Sequence, residues 1–431
     1  MSSGIVGLIE AEGGRVTFSR FMELALTHPV FGYYSRIDRL LGRGGDFSTA
    51  PALSPFFNRT VARLVTELVD AAIAEREAWN ATDLSASTAR ASALTMTAPG
   101  EALPGSVSSD VAGGRLGVIE LGGGEGQLAQ GILNFWQSER PEWRERVAYR
   151  IVEVGARLKQ IQKDALAGRM SSGWQVAWGS DLEEACAGIR PVLILGNEFL
   201  DTLPVHQVRV AEGTMYEAYV EAEGPDLVWA WAGVSDVAAR EMEFLFGGLD
   251  PGRLEPLTTD GILEVFPALA DLMGLTARLM PSGSLVTVDY GDWFPDLSGD
   301  LDRRSTSGGP GERRLRGRTV RGHFKHQPVH DVLARAGSQD LTADVDFYAV
   351  DLHGRQEGFE TVVFATLSAF LRGGGAEEEL QGLLAGTARF SGIAGDPLEA
   401  DRQAVVLRSL LDERDLGSAF KLMVQVREEA C

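Results

Sequence analysis

The sequence has little of what secreted, membrane-spanning and nucleic-acid-binding proteins require. Its 431 residues include only two cysteines, Cys186 and Cys431, too few for a disulfide framework or a zinc-ligand spacing. No apolar run approaches the roughly 20 residues that cross a bilayer, and the first residues lack the basic stretch of a secretion or import signal. The net charge of −21 repels nucleic acid. We therefore expect a cytoplasmic, bacterial-like protein with no membrane span and no nucleic-acid partner.

The composition that is present is that of an ordinary globular protein. Hydrophobic residues make up 44% of the chain and charged residues 23%, which suits one large α/β domain with insertions or two modest domains. From position 116 to 196, strand-like and helix-like runs alternate, and this alternation predicts a doubly wound parallel sheet. After the first strand, the predicted strands are 149–154, 174–178 and 191–196, with helices at 156–168 and 181–187.

Changes in composition and periodicity divide the chain into five segments. The second segment is dominated by Ala, Ser, Thr, Gly and Pro, so we expect a flexible insertion there. The fourth reads as three antiparallel strands (205–210, 215–221, 227–231) and two helical stretches (236–247, 261–279), which predicts a cap over the substrate side. The segments are an N-terminal helical segment with a substrate or cofactor loop (1–79), the insertion (80–115), the ligand-binding core (116–204), the inserted α+β cap (205–282) and the rest of the core (283–431), with a polar linker at 296–314.

The most informative motif is a glycine-rich loop after the first core strand. Residues 118–126 (VIELGGGEG) place Glu120 at the end of that strand and glycines at 122, 124 and 126. Gly122 permits the sharp turn, and Gly124 and Gly126 let a ligand approach the backbone. Helical spacing begins directly afterwards, so the loop opens onto a helix N-terminus. This arrangement predicts a nucleotide-type ligand.

The charge of the loop favours S-adenosylmethionine over a dinucleotide. A dinucleotide site needs G-x-G-x-x-G and places a pyrophosphate on the helix N-terminus. Here the spacing differs and Glu125 adds a negative charge, which repels phosphates but is compatible with an ammonium and a sulfonium. Glu153, at the end of the second strand, is placed to accept hydrogen bonds from two ribose hydroxyls; its alternative role is to cap the following helix.

Several separated motifs resemble the MidA family (DUF185) of S-adenosylmethionine-dependent methyltransferases. The resemblance extends from about position 17 to 427, apart from the two polar insertions. The most family-specific stretch is 196–207 (GNEFLDTLPVHQ). The other matching segments are 21–26, 32–34, 45–51 (GDFSTAP), 120–126 (ELGGGEG), 151–153, 288–291, 321–323, 330–333 and 340–347.

The resemblance implies a class I methyltransferase, EC 2.1.1, with a Rossmann-like sheet. Mitochondrial members of the family are complex I assembly factors that methylate an arginine, so an arginine in a protein, including a respiratory complex subunit, is the implied acceptor. The 45–51 motif implies that Asp46 and Thr49 contact cofactor or substrate. Ala52 stands where the family usually has glutamate, and Gly123 to Glu125 replace a more usual proline, glycine and basic residue.

A guanidinium acceptor needs carboxylates near the methyl group. Its charge is delocalised and its pKa exceeds 12, so acids must hold it, localise its charge and take up a proton. The fourth core strand leads to Asn197, Glu198 and Asp201 at the edge of the sheet, and the next strand ends at Asp289. We predict these four as catalytic residues. Asn197 is also expected to bind the cofactor, together with Glu120, Gly122, Gly124, Gly126 and Glu153.

The histidines at 323, 326 and 330 do not predict a metal site, because they lack companion cysteines. The main hypothesis is therefore a protein-arginine methyltransferase. Methylation of a small molecule and a cofactor-binding assembly factor without turnover stay open, and an NAD-dependent oxidoreductase is disfavoured by Glu125. A homodimer is also compatible with the sequence.

Overall fold

The computed structural model describes residues 2–36, 50–94, 114–247, 254, 261–294, 318–324, 327–387 and 397–428. Strands and helices alternate through the middle of the chain. The strands are β1 Arg15–Thr17, β2 Leu116–Leu121, β3 Val147–Val152, β4 Gln175–Gly179, β5 Arg190–Asn197, β6 His206–Ala211, β7 Thr214–Glu223, β8 Asp226–Ala232, β9 Ile262–Val265, β10 Gly283–Asp292, β11 Arg321–Phe324, β12 Gln327–Val329, β13 Asp340–Thr342, β14 Val345–Asp346, β15 Glu360–Thr366 and β16 Phe420–Arg427. The helices are Ser2–Ala11, Phe18–Thr27, Tyr33–Arg36, Ala50–Leu53, Pro55–Leu94, Gln127–Glu139, Ala156–Ser171, Leu182–Cys186, Asp236–Phe246, Ala268–Leu279, Phe347–Gln356, Leu367–Gly373, Ala376–Ala385, Pro397–Leu411 and Leu416–Ala419, with 3₁₀ turns at Pro141–Arg144 and Leu200–Thr202.

The central sheet has the strand order β15-β16-β10-β5-β2-β3-β4, with β14 beside the end of β10. Strands β2, β3, β4, β5 and β10 are parallel, whereas β15 and β16 are antiparallel to their neighbours. The chain fills one side of β2 first and then crosses to the other side at β5. The predicted doubly wound α/β class is confirmed, and the reversal leaves a crevice at the carboxyl ends of β2 and β5.

The middle strands are buried on both faces, which explains their unbroken apolar runs. Successive residues point to opposite sides of the sheet and enter two separate cores. One core contains Ile119, Ile194 and Leu285, and the other contains their neighbours Val118, Leu193 and Val286. Helices on both faces therefore cover this part of the sheet.

A second sheet forms the predicted cap. Strands β6, β7 and β8 make the expected antiparallel meander, and the helix Asp236–Phe246 follows. The prediction of helix throughout 261–279 is wrong at its start, because Ile262–Val265 is β9 and pairs with β6; the helix begins at Ala268. The four residues of β9 are all buried. A helical pattern that continues directly out of such a short apolar strand hides the boundary.

The N-terminal segment does not stand apart from the cap, since β1 pairs with β7 and completes the second sheet. The long helix Pro55–Leu94 continues through residues that the sequence assigns to the flexible insertion. Residues 95–113, the rest of that insertion, lie outside the described residues, as does the polar linker 296–314.

Thr319 and Val320 are held against Glu264 of β9. Buried Glu264 accepts hydrogen bonds from the Thr319 N–H (2.9 Å), the Thr319 hydroxyl (2.6 Å) and the Val320 N–H (3.2 Å). Within the described part of the chain, no helix combines the length and apolar composition needed to cross a membrane.

Candidate active site

The glycine loop between β2 and the helix Gln127–Glu139 has a backbone that favours glycine. Gly122, Gly124 and Gly126 have φ of +66°, +52° and +89°, a region that side chains rarely adopt. A Cβ atom on Gly122 would lie 3.1 Å from the Phe199 ring, and one on Gly124 would meet nothing within 4 Å. Gly122 therefore keeps Phe199 close, whereas Gly124 leaves an open approach to the backbone.

The loop borders a cavity of about 610 Å³, a size typical of small-molecule sites. The ends of β2, β3 and β5 form one wall, and the helix Phe18–Thr27 and the cap form the other. Of the predicted site residues, Glu120, Gly122, Gly124, Glu153, Asn197 and Glu198 line this cavity. Gly126 instead starts the helix, and Asp201 and Asp289 lie outside the lining.

Glu153 is held by both of its carboxylate oxygens. One accepts the Gly155 N–H at 2.8 Å and the other accepts the Gln162 amide at 3.0 Å. Burial raises the pKa of this carboxyl, and the two hydrogen bonds oppose that effect. The carboxylate thus contacts Gly155, which directly precedes the next helix, in keeping with the alternative role of Glu153 as a helix cap. Glu153 also lines the cavity, where the ribose is expected.

Gln162 is a site residue that the sequence did not reveal. Its side-chain amide donates to the Gly124 carbonyl at 2.8 Å as well as to Glu153, and its carbonyl accepts the Trp178 indole N–H at 2.7 Å. The residue is fully buried. Gln162 therefore fixes the glycine loop and Glu153 relative to each other. No motif marks it, because its partners lie on three separate elements.

Glu120 is buried at the end of β2 and accepts a 2.8 Å hydrogen bond from the Tyr149 hydroxyl. Burial raises its pKa to about 7; the hydrogen bond from Tyr149 acts against the rise, and the nearby Glu153 adds to it. A cation bound in the cavity would stabilise its ionised form. This placement suits a residue facing a positively charged ligand.

Glu198 has an unusual backbone conformation, with φ of +50°. Its N–H donates to the Val288 carbonyl at 2.8 Å, which fixes the turn that follows β5. Burial and the nearby Asp201 raise the pKa of the Glu198 carboxyl to about 8, although Asn197 and the Ala50 N–H donate hydrogen bonds to it. Strained backbone that points a partly neutralised acid into a cavity is typical of functional sites.

Asn197 lies beside Glu198 and donates to its carboxylate at 3.2 Å. The carbonyl oxygen of the Asn197 side chain is buried and has no hydrogen-bond partner among the described residues. Buried polar atoms usually have a partner. This oxygen, together with the open backbone at Gly124, fits a site for a polar ligand such as S-adenosylmethionine.

Asp289 is fully buried and does not line the cavity, so its catalytic contact stays a prediction. One of its oxygens accepts the N–H groups of Phe199 (3.1 Å), Leu200 (2.9 Å) and Asp201 (3.3 Å). Its carboxyl therefore shapes the 3₁₀ turn that carries Asp201. Burial, followed by the charge of Asp201, raises its pKa.

Asp201 is also buried, and the Tyr290 hydroxyl donates a hydrogen bond to one of its oxygens. The other oxygen has no partner within the described chain. Burial raises the Asp201 pKa to about 6, against the hydrogen bond from Tyr290 and the positive charge of Arg321. The Arg321 guanidinium lies 4.7 Å from the centre of the Tyr290 ring. Asp201 thus acts electrostatically on Glu198 but does not line the cavity.

Tyr34 and His206 also line the cavity. The Tyr34 hydroxyl donates to Asp340 at 2.8 Å, and both residues lie in motifs shared with the MidA family. His206 approaches Glu217 at 2.6 Å. The family motifs include Tyr34, Asp340 and His206, but Glu217 lies outside every one of them.

The predicted contacts of Asp46 and Thr49 lie outside the described residues. Pro51, two residues later, lines the cavity, and Ala52 beside it is exposed. The segment that carries the family's second motif thus leads to the cavity at Pro51. Among the residues that can be assessed, no three His, Cys, Asp or Glu side chains are grouped to hold a metal ion.

Solved structures resemble this chain over almost its whole length. A COG1565 superfamily protein from Burkholderia thailandensis, solved with bound S-adenosyl-homocysteine, is 25% identical with a TM-score of 0.68, over 99% of this chain and 91% of that one. A native crystal structure of a Burkholderia thailandensis protein of the same superfamily is 24% identical, with a TM-score of 0.66 over the same shares of the two chains.

Curated relatives include proteins named protein arginine methyltransferase NDUFAF7, mitochondrial. The Danio rerio protein is 25% identical over 86% of this chain and 76% of its own length. The Homo sapiens protein is 26% identical over 78% of this chain and 64% of its own length. The family described as S-adenosyl-L-methionine-dependent methyltransferase matches residues 108–365. The chain belongs to this family and is an S-adenosyl-L-methionine-dependent methyltransferase.

Proposed function

We propose that this methyltransferase acts on a protein and that its acceptor is the guanidinium of an arginine. One observation carries the proposal: the acids that line the cavity face no lysine or arginine among the described lining residues. The lining carboxylates are Glu23, Glu120, Glu153, Glu198 and Asp271. A cavity with this lining favours a cationic acceptor and disfavours phosphates and carboxylates.

Glu23 and Asp271 are the two exposed acids of the lining. Glu23 is on the N-terminal helix Phe18–Thr27, where it pairs with Arg20 at 2.8 Å, and Asp271 is in the first turn of the helix Ala268–Leu279. Both are exposed, while Glu198 is half-buried. Acids at increasing depth give a long cationic side chain a favourable path from solvent inward. That arrangement suits an arginine presented by a protein better than a compact metabolite.

Glu198 is the acid that we propose to hold the guanidinium. Its pKa of about 8 leaves the carboxyl largely protonated at neutral pH when no cation is near. A bound guanidinium, always charged, lowers this pKa and gains an ionic hydrogen-bond acceptor in return. Bound S-adenosyl-L-methionine supplies an activated methyl group, and the protein supplies alignment and a partly dry cavity. The names of the curated relatives agree with an arginine acceptor.

The test is transfer of a labelled methyl group from S-adenosyl-L-methionine onto proteins of a cell lysate, followed by mass spectrometry of the labelled residue. We expect label on arginine. Label on another residue, or only on small molecules, would overturn the arginine acceptor. Binding of S-adenosyl-homocysteine without any transfer would favour an assembly factor that binds the cofactor without turnover.

A further inference from the structure

A carboxylate–imidazole pair borders the cavity from the cap. His206, the first residue of β6, lines the cavity and is only 8% exposed. Its Nδ1 lies 2.6 Å from a carboxylate oxygen of Glu217 on the neighbouring strand β7. Glu217 is fully buried. A buried acid that reaches only one side of an imidazole leaves the other ring nitrogen for a different partner.

The orientation of Glu217 is fixed from a third element. Its second oxygen accepts the Ser235 N–H at 2.7 Å, and the Ser235 hydroxyl caps the helix Asp236–Phe246. Although burial alone would raise it, the hydrogen bonds from His206 and Ser235 leave the pKa of the Glu217 carboxyl below its usual value. An ionised carboxylate can only accept, so Nδ1 of His206 carries the proton.

The consequence concerns the second nitrogen of the ring. In the neutral imidazole with its proton on Nδ1, Nε2 of His206 has a free lone pair. Nε2 has no hydrogen-bond partner among the residues that the structure describes. In enzymes, an imidazole held in one tautomer by a buried acid is a common way of building a general base. Neither Asp201 nor Asp289 offers such a free atom at the cavity lining.

We propose that Nε2 of His206 accepts the proton released during methyl transfer and that Glu217 is its positioning residue. This inference rests on the proposed arginine acceptor. As the acceptor nitrogen forms its bond to the methyl carbon, the carbon–sulfur bond breaks and the sulfur becomes neutral. The guanidinium nitrogen then holds one proton too many. That proton goes to His206, which becomes an imidazolium stabilised by the Glu217 carboxylate.

Glu198 is a poor choice for this proton because its charge is needed elsewhere. If Glu198 took the proton, it would lose the charge that holds the guanidinium during transfer. His206 carries no such duty. The titratable lining groups on the elements around it are Glu23 on the helix Phe18–Thr27, Asp271 beyond β9 and Glu198 after β5, and Glu217 lies beside it on β7. Glu264 on β9 is a further acid, and Arg20 on the helix is paired with Glu23. The excess of acids favours a cationic imidazole after transfer.

The first experiment uses ¹⁵N NMR of the histidine rings in the full chain with S-adenosyl-homocysteine, and methylguanidinium as the probe. We expect His206 to carry its proton on Nδ1, with an unprotonated Nε2 whose signal moves when methylguanidinium binds. A proton on Nε2 would overturn the inference whatever the acceptor is. A proton on Nδ1 with no saturable methylguanidinium binding would overturn the arginine proposal and leave the pair supported.

The second experiment measures methyl transfer against pH on the acceptor that the lysate identifies. His206→Gln should lower kcat by about 100-fold, a typical loss for a general base, with KM for S-adenosyl-L-methionine little changed. Glu217→Gln should move the acid limb of kcat about one pH unit lower, because the imidazolium loses its anionic partner. A uniform drop at every pH would indicate a structural role and overturn the inference.

The chain contains a matched control for these variants. His353 and Glu241 form another buried pair, 2.8 Å apart, and neither residue lines the cavity. Glu241→Gln removes the same charge from the same kind of pair. It should alter stability about as much as Glu217→Gln does and leave the pH profile of kcat in place. A similar shift of the profile in both variants would overturn the role of His206.

Discussion

The two halves of the cavity are built on different principles. On the β2–β3 side, Gln162 matches the polar atoms of the loop, of Glu153 and of Trp178 with donors and acceptors. On the β5 side, side-chain oxygens of Asn197 and Asp201 are buried without a hydrogen-bond partner in the described chain. The first half is complete in the protein alone. Of these two residues, Asn197 lines the cavity, so its oxygen is the one that a bound ligand can satisfy.

The difference separates a half whose hydrogen bonds are formed before any ligand binds from a half whose charge depends on the bound ligand. A satisfied network holds its shape and binds one ligand with little reorganisation. A cluster of raised-pKa acids changes its charge with what is bound beside it. We therefore propose that the nucleoside end of the cofactor is recognised by shape and hydrogen bonds, and the acceptor by charge. Each prediction below changes one half and measures whether the other half responds.

The largest expected effect is on the acceptor half. Glu198→Gln removes the acid that we propose to hold the guanidinium, so kcat/KM for methyl transfer should fall by about 100-fold, as for loss of a charge-assisted hydrogen bond. Binding of S-adenosyl-homocysteine, followed by calorimetry, should change little because it has no sulfonium charge. The matched control is Glu212→Gln, since Glu212 has the same φ of +50° but lies exposed in a hairpin. Unchanged transfer in Glu198→Gln would place the acceptor elsewhere.

The next effect concerns stability and pH in the cofactor half. The folded pKa of Glu120, about 7, lies above its usual value of 4.5. The folded state then binds more protons than the unfolded state between these values, so its stability falls as pH rises from about 4.5 to 7. Glu120→Gln should remove roughly 2 kcal/mol of this decline. Urea unfolding of the wild type and of Glu120→Gln at pH 5 and pH 8 measures this decline. An equal loss of unfolding free energy in the two proteins would contradict the raised pKa of Glu120.

The sequence revealed the strands and the loop because both depend on local patterns. The unbroken apolar run of β2 follows from burial on both faces, and the glycines at 122, 124 and 126 follow from their positive φ. The helix–strand boundary near Ile262 was missed, because the pairing of β9 with β6 is a tertiary contact. Local periodicity cannot show which neighbour an apolar run will find.

Side chains that act through distant partners were the hardest part of the site to predict. Nothing in the sequence of its helix distinguishes Gln162, and its role is visible only from its hydrogen bonds to Gly124, Glu153 and Trp178. Asp289 shows the reverse case: its place at the end of a core strand predicted a catalytic contact, yet three backbone N–H groups occupy its carboxylate. Position along the chain indicates the right edge of the sheet but not which way a carboxylate faces.

A smaller effect should come from removing the hydrogen bonds by which Gln162 joins Gly124, Glu153 and Trp178 in the cofactor half. Gln162→Leu removes two donors and one acceptor, so the Kd for S-adenosyl-homocysteine should rise by about tenfold, the usual cost of an unsatisfied buried group. The loss should shrink with a 2′,3′-dideoxy analogue, which cannot bond to Glu153. Calorimetry of both ligands gives the comparison. The control is Gln160→Leu on the same helix, whose exposed amide donates to Asp164. Equal losses for both ligands would show that Gln162 supports the fold alone.

The smallest effect links the two halves through protons. At pH 7 the Glu198 carboxyl, with a pKa of about 8, is mostly protonated before a ligand arrives. The sulfonium of S-adenosyl-L-methionine lowers this pKa and should release about half a proton, whereas neutral S-adenosyl-homocysteine should release less. Calorimetry in two buffers of different ionisation enthalpy measures the release. If Glu198→Gln still releases more protons with S-adenosyl-L-methionine than with S-adenosyl-homocysteine, the proton comes from another acid. Glu198 would then not be the residue through which the acceptor half responds to charge.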